Sequence, residues 1–183
     1  MKTYIFAGRF QPFHNGHMEI IDNLIPNLDK NDTFIVGVIA PFNSQNDNSI
    51  DKEFVNCAKE HHLLERNPWS LTKRLLAVNY VVNSIIKRGI SFKITLTALP
   101  RPDFGWNVIK QWFPSNRIWV IPKAGELFDD QKAIYFKKLG DDVLRISDNS
   151  MISGKEIREL YINKCFEDIK QMIPTCVHNV YLY

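Results

Sequence analysis

The sequence predicts an α/β protein: a doubly wound parallel sheet with helices on both faces and a short C-terminal helical region. Three observations predict it. Short apolar runs of strand length alternate with stretches of helical periodicity along most of the 183 residues, and that alternation favours parallel strands joined by helical crossovers. The runs "TYIFA" (3–7) and "TFIVGVIA" (33–40) are continuous rather than alternating, as strands covered on both faces read. The first of them ends in a turn carrying Gly8, Arg9, His14, Gly16 and His17 before an apolar helix begins. Ligands of such sheets bind beyond the carboxyl ends of the strands, near the switch point.

The elements follow in order. After strand 3–7, Met18, Ile21, Leu24, Ile25 and Leu28 recur at helical spacing, and Pro26 ends or kinks that helix. Strand 33–40 leads into a loop at 41–50, rich in Asn, Asp and Ser. Phe54, Ala58, His61 and Leu64 suggest a short, weakly amphipathic helix broken by "NPW" at 67–69. Ser70 can cap the next helix, whose apolar face is Leu71, Leu75, Val78, Val82 and Ile85 and which Gly89 stops. A third strand at 92–99, a Pro/Gly loop at 100–105 and a short helix through Trp112 come next. Strand 117–121, a helix around 127–138 and strand 142–146 complete the sheet. Helices at about 153–160 and 164–172 follow, and the last ten residues read either as an edge strand or as a packed tail. The whole chain, 1–183, reads as a single domain of Rossmann-like type, with 153–183 as C-terminal helices and tail.

Composition excludes several classes. A net charge of +3 gives no strong nucleic-acid or membrane signal. The apolar run at the N-terminus is too short for a signal peptide. No run approaches the ~18 apolar residues of a membrane span. Cys57, Cys165 and Cys176 form an odd set without C-x-x-C spacing, as expected of idle thiols in a reducing cytoplasm.

The opening turn is where chemistry concentrates. Gly8 permits close approach at the strand end. Gly16 stands at a helix mouth, where unpaired amides and the helix dipole attract anions. His14 and His17 share one side if the turn between them is helical. Arg9 adds a planar fork suited to phosphate oxygens, and phosphate is the anion that uses all these donors best. Two blander readings stand beside this one. The pair could ligate a metal together with His61 and His62, but no carboxylate or cysteine sits at matching spacing. They could also be ordinary histidines satisfied in a tight turn. The glycine-rich dinucleotide and Walker fingerprints are absent after this strand.

The stretch "GRFQPFHNGH", with His14-Asn15-Gly16-His17, resembles the signature of the nucleotidyltransferase superfamily marked by an H-x-G-H tetrad. Its longer form is most similar to archaeal-type nicotinamide mononucleotide adenylyltransferases. The superfamily's late signature, I-S-x-T-x-x-R, is matched by Ile152-Ser153-Gly154-Lys155-Glu156-Ile157-Arg158. That segment also reads as a capping box of Ser153 and Glu156, which leaves Arg158 unexplained. Lys155 departs from the usual hydroxyl residue. A cation in a first helical turn opposes the dipole by about 0.3–1 kcal/mol, so Lys155 is expected to meet a triphosphate. A weaker resemblance is "ERNPWSLTKR", where Asn67, Trp69 and Arg74 match a helix-opening segment of the family.

The resemblance implies transfer of AMP from ATP, or of a nucleotidyl group from another nucleoside triphosphate, to a phosphorylated small-molecule acceptor. That acceptor would be nicotinamide mononucleotide, with NAD and pyrophosphate as products. It implies catalytic roles for Arg9, His14, His17 and Arg158. Nucleotide binding would fall to Gly8, Arg9, Phe10, His14, Gly16, His17, Ile152, Ser153, Lys155 and Arg158, and acceptor binding to Asn67, Trp69, Arg74 and Trp106. Mg²⁺ is implied as the ion bridging triphosphate oxygens, with no protein metal cage. A cytidylyltransferase or other nucleotidyltransferase with a different acceptor remains an alternative, because "IPKAGELF" (121–128) lacks the family's Asn-rich segment. A non-catalytic nucleotide-binding module is the third reading. Residues 43–66 suggest a lid or an interface insertion. A cytoplasmic location without nucleic-acid or membrane partners is expected, and a homo-oligomer is left open.

Overall fold

The computed structural model describes residues 1–40, 66–100, 109–123 and 127–182. Its elements are β1 (Thr3–Gly8), α1 (Asn15–Leu24), β2 (Thr33–Ile39), α2 (Leu71–Ile86), β3 (Lys93–Leu99), β4 (Arg117–Pro122), α3 (Leu127–Lys138), β5 (Asp142–Ile146), α4 (Gly154–Ile162), α5 (Phe166–Met172) and a terminal turn, α6 (His178–Tyr181). The loop expected at 41–50, the helix at 54–64, the insertion at 43–66 except for residue 66, most of the loop at 100–105 and Trp106 lie outside the described residues.

All strand pairs are parallel, in the order β3-β2-β1-β4-β5. The chain builds outward from β1 to β3, then crosses back to lay β4 on the other side of β1. The switch point therefore lies between β1 and β4, at the ends marked by Gly8 and Pro122.

Side chains alternate between faces along each strand, and both faces are covered. Tyr4, Phe6, Phe34, Val36, Val38 and Val120 point into a core shared with α1, α2 and the C-terminal helices. Ile5, Ile35, Leu99, Trp119 and Ile121 point the other way, against Ile109, Phe113, Ala133 and Phe136. This two-sided burial is why the strands read as continuous apolar runs.

Local signals set the ends. Pro26 sits in a short 3₁₀ turn, Ile25–Asn27, that closes α1 at Leu24. The Ser70 hydroxyl accepts the Lys73 N–H at the start of α2, and Gly89 takes φ 77° beyond its end. At the opposite end of the sheet from the switch point, Asp141 accepts from Arg117 Nε at 2.5 Å and from Trp119 Nε1 at 2.7 Å, all three being buried. The last residues resolve the choice left open by the sequence: they form a packed helical tail. Val177, Val180 and Tyr181 are buried, and the tail lies against α2.

Candidate active site

The site grows out of the turn between β1 and α1. Phe10 takes a left-handed φ of 50°, and its ring folds back over the strand end. A Cβ on Gly8 would lie 2.7 Å from that ring. The close approach that Gly8 permits is thus made by Phe10, which is 2% exposed and belongs to the core. Phe10 contributes by edge packing on the His17 ring, with centroids 5.0 Å apart, and Phe13 lies 5.3 Å from the same ring.

Polar groups from distant elements hold the turn. The Gln11 side chain clamps the Trp69 backbone, donating to its carbonyl at 2.9 Å and accepting its N–H at 3.1 Å. The Arg74 guanidinium donates to the carbonyls of Arg9 at 2.6 Å, Ile39 at 2.8 Å and Trp69 at 3.2 Å. The Tyr181 hydroxyl accepts the Phe13 N–H at 3.2 Å. Arg158 Nη1 donates to the Gln11 carbonyl at 2.7 Å.

His14 and His17 stack, with centroids 3.7 Å apart and planes 25° off parallel. The His14 N–H donates to His17 Nδ1 at 3.2 Å. A neutral His17 must therefore carry its proton on Nε2, as a donor. His14 Nδ1 is buried without a hydrogen-bond partner among the described residues. Burial, and then the Arg158 charge, push the His14 pKa down to about 4. Loss of water around His17, followed by His14 and Lys132, holds its pKa well below the usual imidazole value. Both rings are neutral near pH 7. They offer hydrogen bonds rather than charge, and the positive charge nearest them comes from Arg158 and Lys132.

The late motif meets this turn. Ser153 caps α4, accepting from the N–H groups of Lys155 at 3.1 Å and Glu156 at 3.4 Å. A Cβ on Gly154 would sit 3.1 Å from the Gln11 carbonyl oxygen and 3.3 Å from Arg158 Nη1. A Cβ on Gly16 would sit 3.0 Å from Ser150 Oγ and 3.1 Å from His14 Nδ1. A side chain at either position would crowd these neighbours. The Ile152 N–H bonds Ser150 Oγ at 3.2 Å, and the Asn149 N–H bonds Glu19 of α1 at 2.9 Å. The structure thus brings Gly8, Arg9, His14, Gly16, His17, Ile152, Ser153, Gly154 and Arg158 to one region beyond the carboxyl end of β1.

Other expected site residues are placed differently. Trp69 is 3% exposed, edge-on to Tyr161 and Tyr181 at 5.2 and 5.3 Å, so no face of it is open to a ligand ring. Arg74 is 1% exposed, and its Nε and Nη1 donate to backbone carbonyls. It braces the turn from beneath rather than facing an acceptor. Asn67 is partly exposed just ahead of them. Lys155 is 79% exposed and lies 3.8 Å from Glu159 on its own helix. The sequence reading passed over Gln11, Ser150 and Tyr181. Gln11 stood inside the quoted motif, whereas nothing local marks the other two.

Two helix starts brought beside each other's flanking turns at the switch point of a parallel sheet, with neutral imidazoles and a fixed guanidinium, make an α/β protein whose polar groups suit an anionic ligand. Residues 5–175 match the cytidylyltransferase-like family, and the chain belongs to that family. A nicotinamide-nucleotide adenylyltransferase of Archaeoglobus fulgidus is 26% identical over 185 residues, 96% of this chain and 87% of that protein. A protein of the same description from Pyrococcus furiosus is 25% identical over 181 residues, 97% of this chain and 81% of that protein. A solved NadR protein in complex with NR aligns over 94% of this chain and 43% of that chain, at 19% identity and a TM-score of 0.48. The protein is a nucleotidyltransferase. No helix among the described residues is long and apolar enough to cross a membrane.

Proposed function

We propose that the protein transfers AMP from ATP to nicotinamide mononucleotide, giving NAD and pyrophosphate. The observation that carries this reading is that each helix mouth lies against the turn that leads into the other, Gly154 against the Gln11 carbonyl and Gly16 against Ser150, with Arg158 bonded to Gln11. Relatives named nicotinamide-nucleotide adenylyltransferase, matching 96% and 97% of this chain, support the choice of substrates.

The chemistry asks for alignment more than for a base. A phosphate oxygen of the acceptor attacks the α-phosphorus of ATP. A new P–O bond forms, the bond to the bridging oxygen of the β-phosphate breaks, and pyrophosphate leaves with that electron pair. The acceptor phosphate is already ionised, so the protein's part is to position both groups and stabilise charge on the transferring phosphoryl. His17, donating from Nε2, is the residue assigned to the α-phosphate. Buried His14 Nδ1 is the second imidazole atom in want of a partner there. A guanidinium has five N–H donors. Arg158 fixes one on the Gln11 carbonyl and so aims the others. Arg9, at the strand end, and Lys155, at the outer rim, are assigned to the β- and γ-phosphates.

Among the described residues no group of three or more His, Cys, Asp or Glu side chains could hold a metal ion. Mg²⁺ is assigned to the triphosphate itself, whose oxygens would hold it and whose charge it would neutralise.

The test is a product assay. The protein is mixed with Mg²⁺, each nucleoside triphosphate in turn and a panel of phosphorylated acceptors, then pyrophosphate is measured and the product weighed. NAD from ATP and nicotinamide mononucleotide is expected. A CDP-linked product would favour the cytidylyltransferase reading, which the unmatched 121–128 segment keeps open. Binding without turnover would mark a nucleotide-binding module. In the same assay His17→Ala is expected to lower turnover by about 10²–10³, the usual effect of removing one donor to a developing charge, with much less change in triphosphate affinity.

A further inference from the structure

Both neighbours of His14 in the chain are hydrogen-bonded to the C-terminal end of the molecule. The Phe13 N–H donates to the Tyr181 hydroxyl at 3.2 Å, a buried bond across 168 residues of sequence. On the other side of His14, Asn15 Nδ2 donates to the Gln171 carbonyl at 2.9 Å. The two anchors belong to one unit. His178 of α6 places Nε2 3.2 Å from the Lys170 carbonyl and 3.3 Å from the Ile173 carbonyl, so that nitrogen bears the proton and ties α6 to α5. Val177, Val180 and Tyr181 seat this unit in the core. Tyr181 itself is 1% exposed and is wedged edge-on against Trp69, whose backbone Gln11 grips.

We infer that Tyr181 is a positioning residue of the catalytic site: its hydroxyl fixes the Pro12–Phe13 peptide, one residue ahead of His14, and thereby sets the stacked imidazole pair. The inference rests on the nucleotidyl-transfer reading of the site. The physical reason is local. The Phe13 amide is buried, and without the hydroxyl it has to find another acceptor by turning. The next amide along is the His14 N–H, which donates to His17 Nδ1 and selects its Nε2–H tautomer. A rotation at Phe13 therefore reaches the donor assigned to the α-phosphate through two covalently linked peptides. Burial pushes the Tyr181 pKa up to about 12, so the hydroxyl stays neutral throughout any usable assay range.

Tyr181→Phe removes the hydroxyl and keeps the ring in its contact with Trp69. Val180→Ala serves as the matched control, because it loosens the same helix without touching the Phe13 bond. Two readouts are taken on the full chain. Without substrate, amide exchange at Phe13 and the ¹⁵N shifts of the His14 and His17 rings are recorded. With substrates, kcat and KM for the triphosphate are measured. In Tyr181→Phe the Phe13 amide should exchange faster, the imidazole shifts should move, and kcat should fall about tenfold, as misalignment of reacting groups does, while KM changes less than twofold. Val180→Ala should lower Tm and leave all four quantities near those of the parent.

Parent-like shifts and turnover in Tyr181→Phe would overturn the inference. So would an equal fall in kcat in Val180→Ala. If the parent itself makes no product with any acceptor, the functional reading fails, and the substrate-free imidazole shifts still decide whether Tyr181 sets the histidine pair.

Discussion

His14 and His17 are uncharged at neutral pH because the fold removes water from them and sets Arg158 and Lys132 within reach of their charge. Burial by itself keeps the rings neutral, so no imidazolium charge at the helix mouth has to be offset by an anion. A consequence follows for stability. In the unfolded chain these rings take up protons near 6.5, whereas folded His14 does so only at about 4. As pH falls between those values the unfolded state binds more protons, so stability must drop. The two and a half units are worth roughly 3 kcal/mol for His14 by pH 4, at about 1.4 kcal/mol per unit. Denaturant midpoints measured from pH 7 to 4 should show this loss, and His14→Ala should flatten it. A parent curve no steeper than the variant's would mean that the ring is not buried neutral.

At the scale of elements, periodicity carried most of the reading. Five strands were legible because burial on both faces leaves continuous apolar runs, and the capped start of α2 at Ser70 and the stop at Pro26 because each acts within a few residues. The tail was not, since a four-residue helix is too short to show a period. Its form follows instead from burying Val177, Val180 and Tyr181 against α2. Trp69 and Arg74 show the same boundary. Their resemblance to an acceptor-binding segment is local, whereas their burial is decided by Tyr161, Tyr181 and three carbonyls far along the chain. The starts of β4 and β5 are joined by the buried Arg117–Asp141 pair. Asp141→Ala strands the guanidinium and should cost about 3–5 kcal/mol in denaturant unfolding. Because the pair lies at the opposite end of the sheet from the His turn, KM should be unchanged. An altered KM at intact stability would contradict that placement.

Across the whole molecule, the site is made by joining the two ends of the chain. Arg158 reaches Gln11 over 147 residues of sequence, and Tyr181 reaches Phe13 over 168. The motifs themselves were visible at positions 8–17 and 152–158, but their contact depends on the strand order β3-β2-β1-β4-β5, which no local pattern states. That order sets β1 in the middle and lets the loop after β5 cross the mouth of α1, where Asn149 and Ser150 meet Glu19 and Gly16. The central claim is that one polyphosphate spans both helix mouths. A crystal structure with a non-hydrolysable ATP analogue tests it most directly. The α-phosphate is predicted against His17 Nε2, with the β- and γ-phosphates running toward Gly154 and Arg158. A triphosphate bound away from Arg158, or touching only one of the two mouths, would contradict the account.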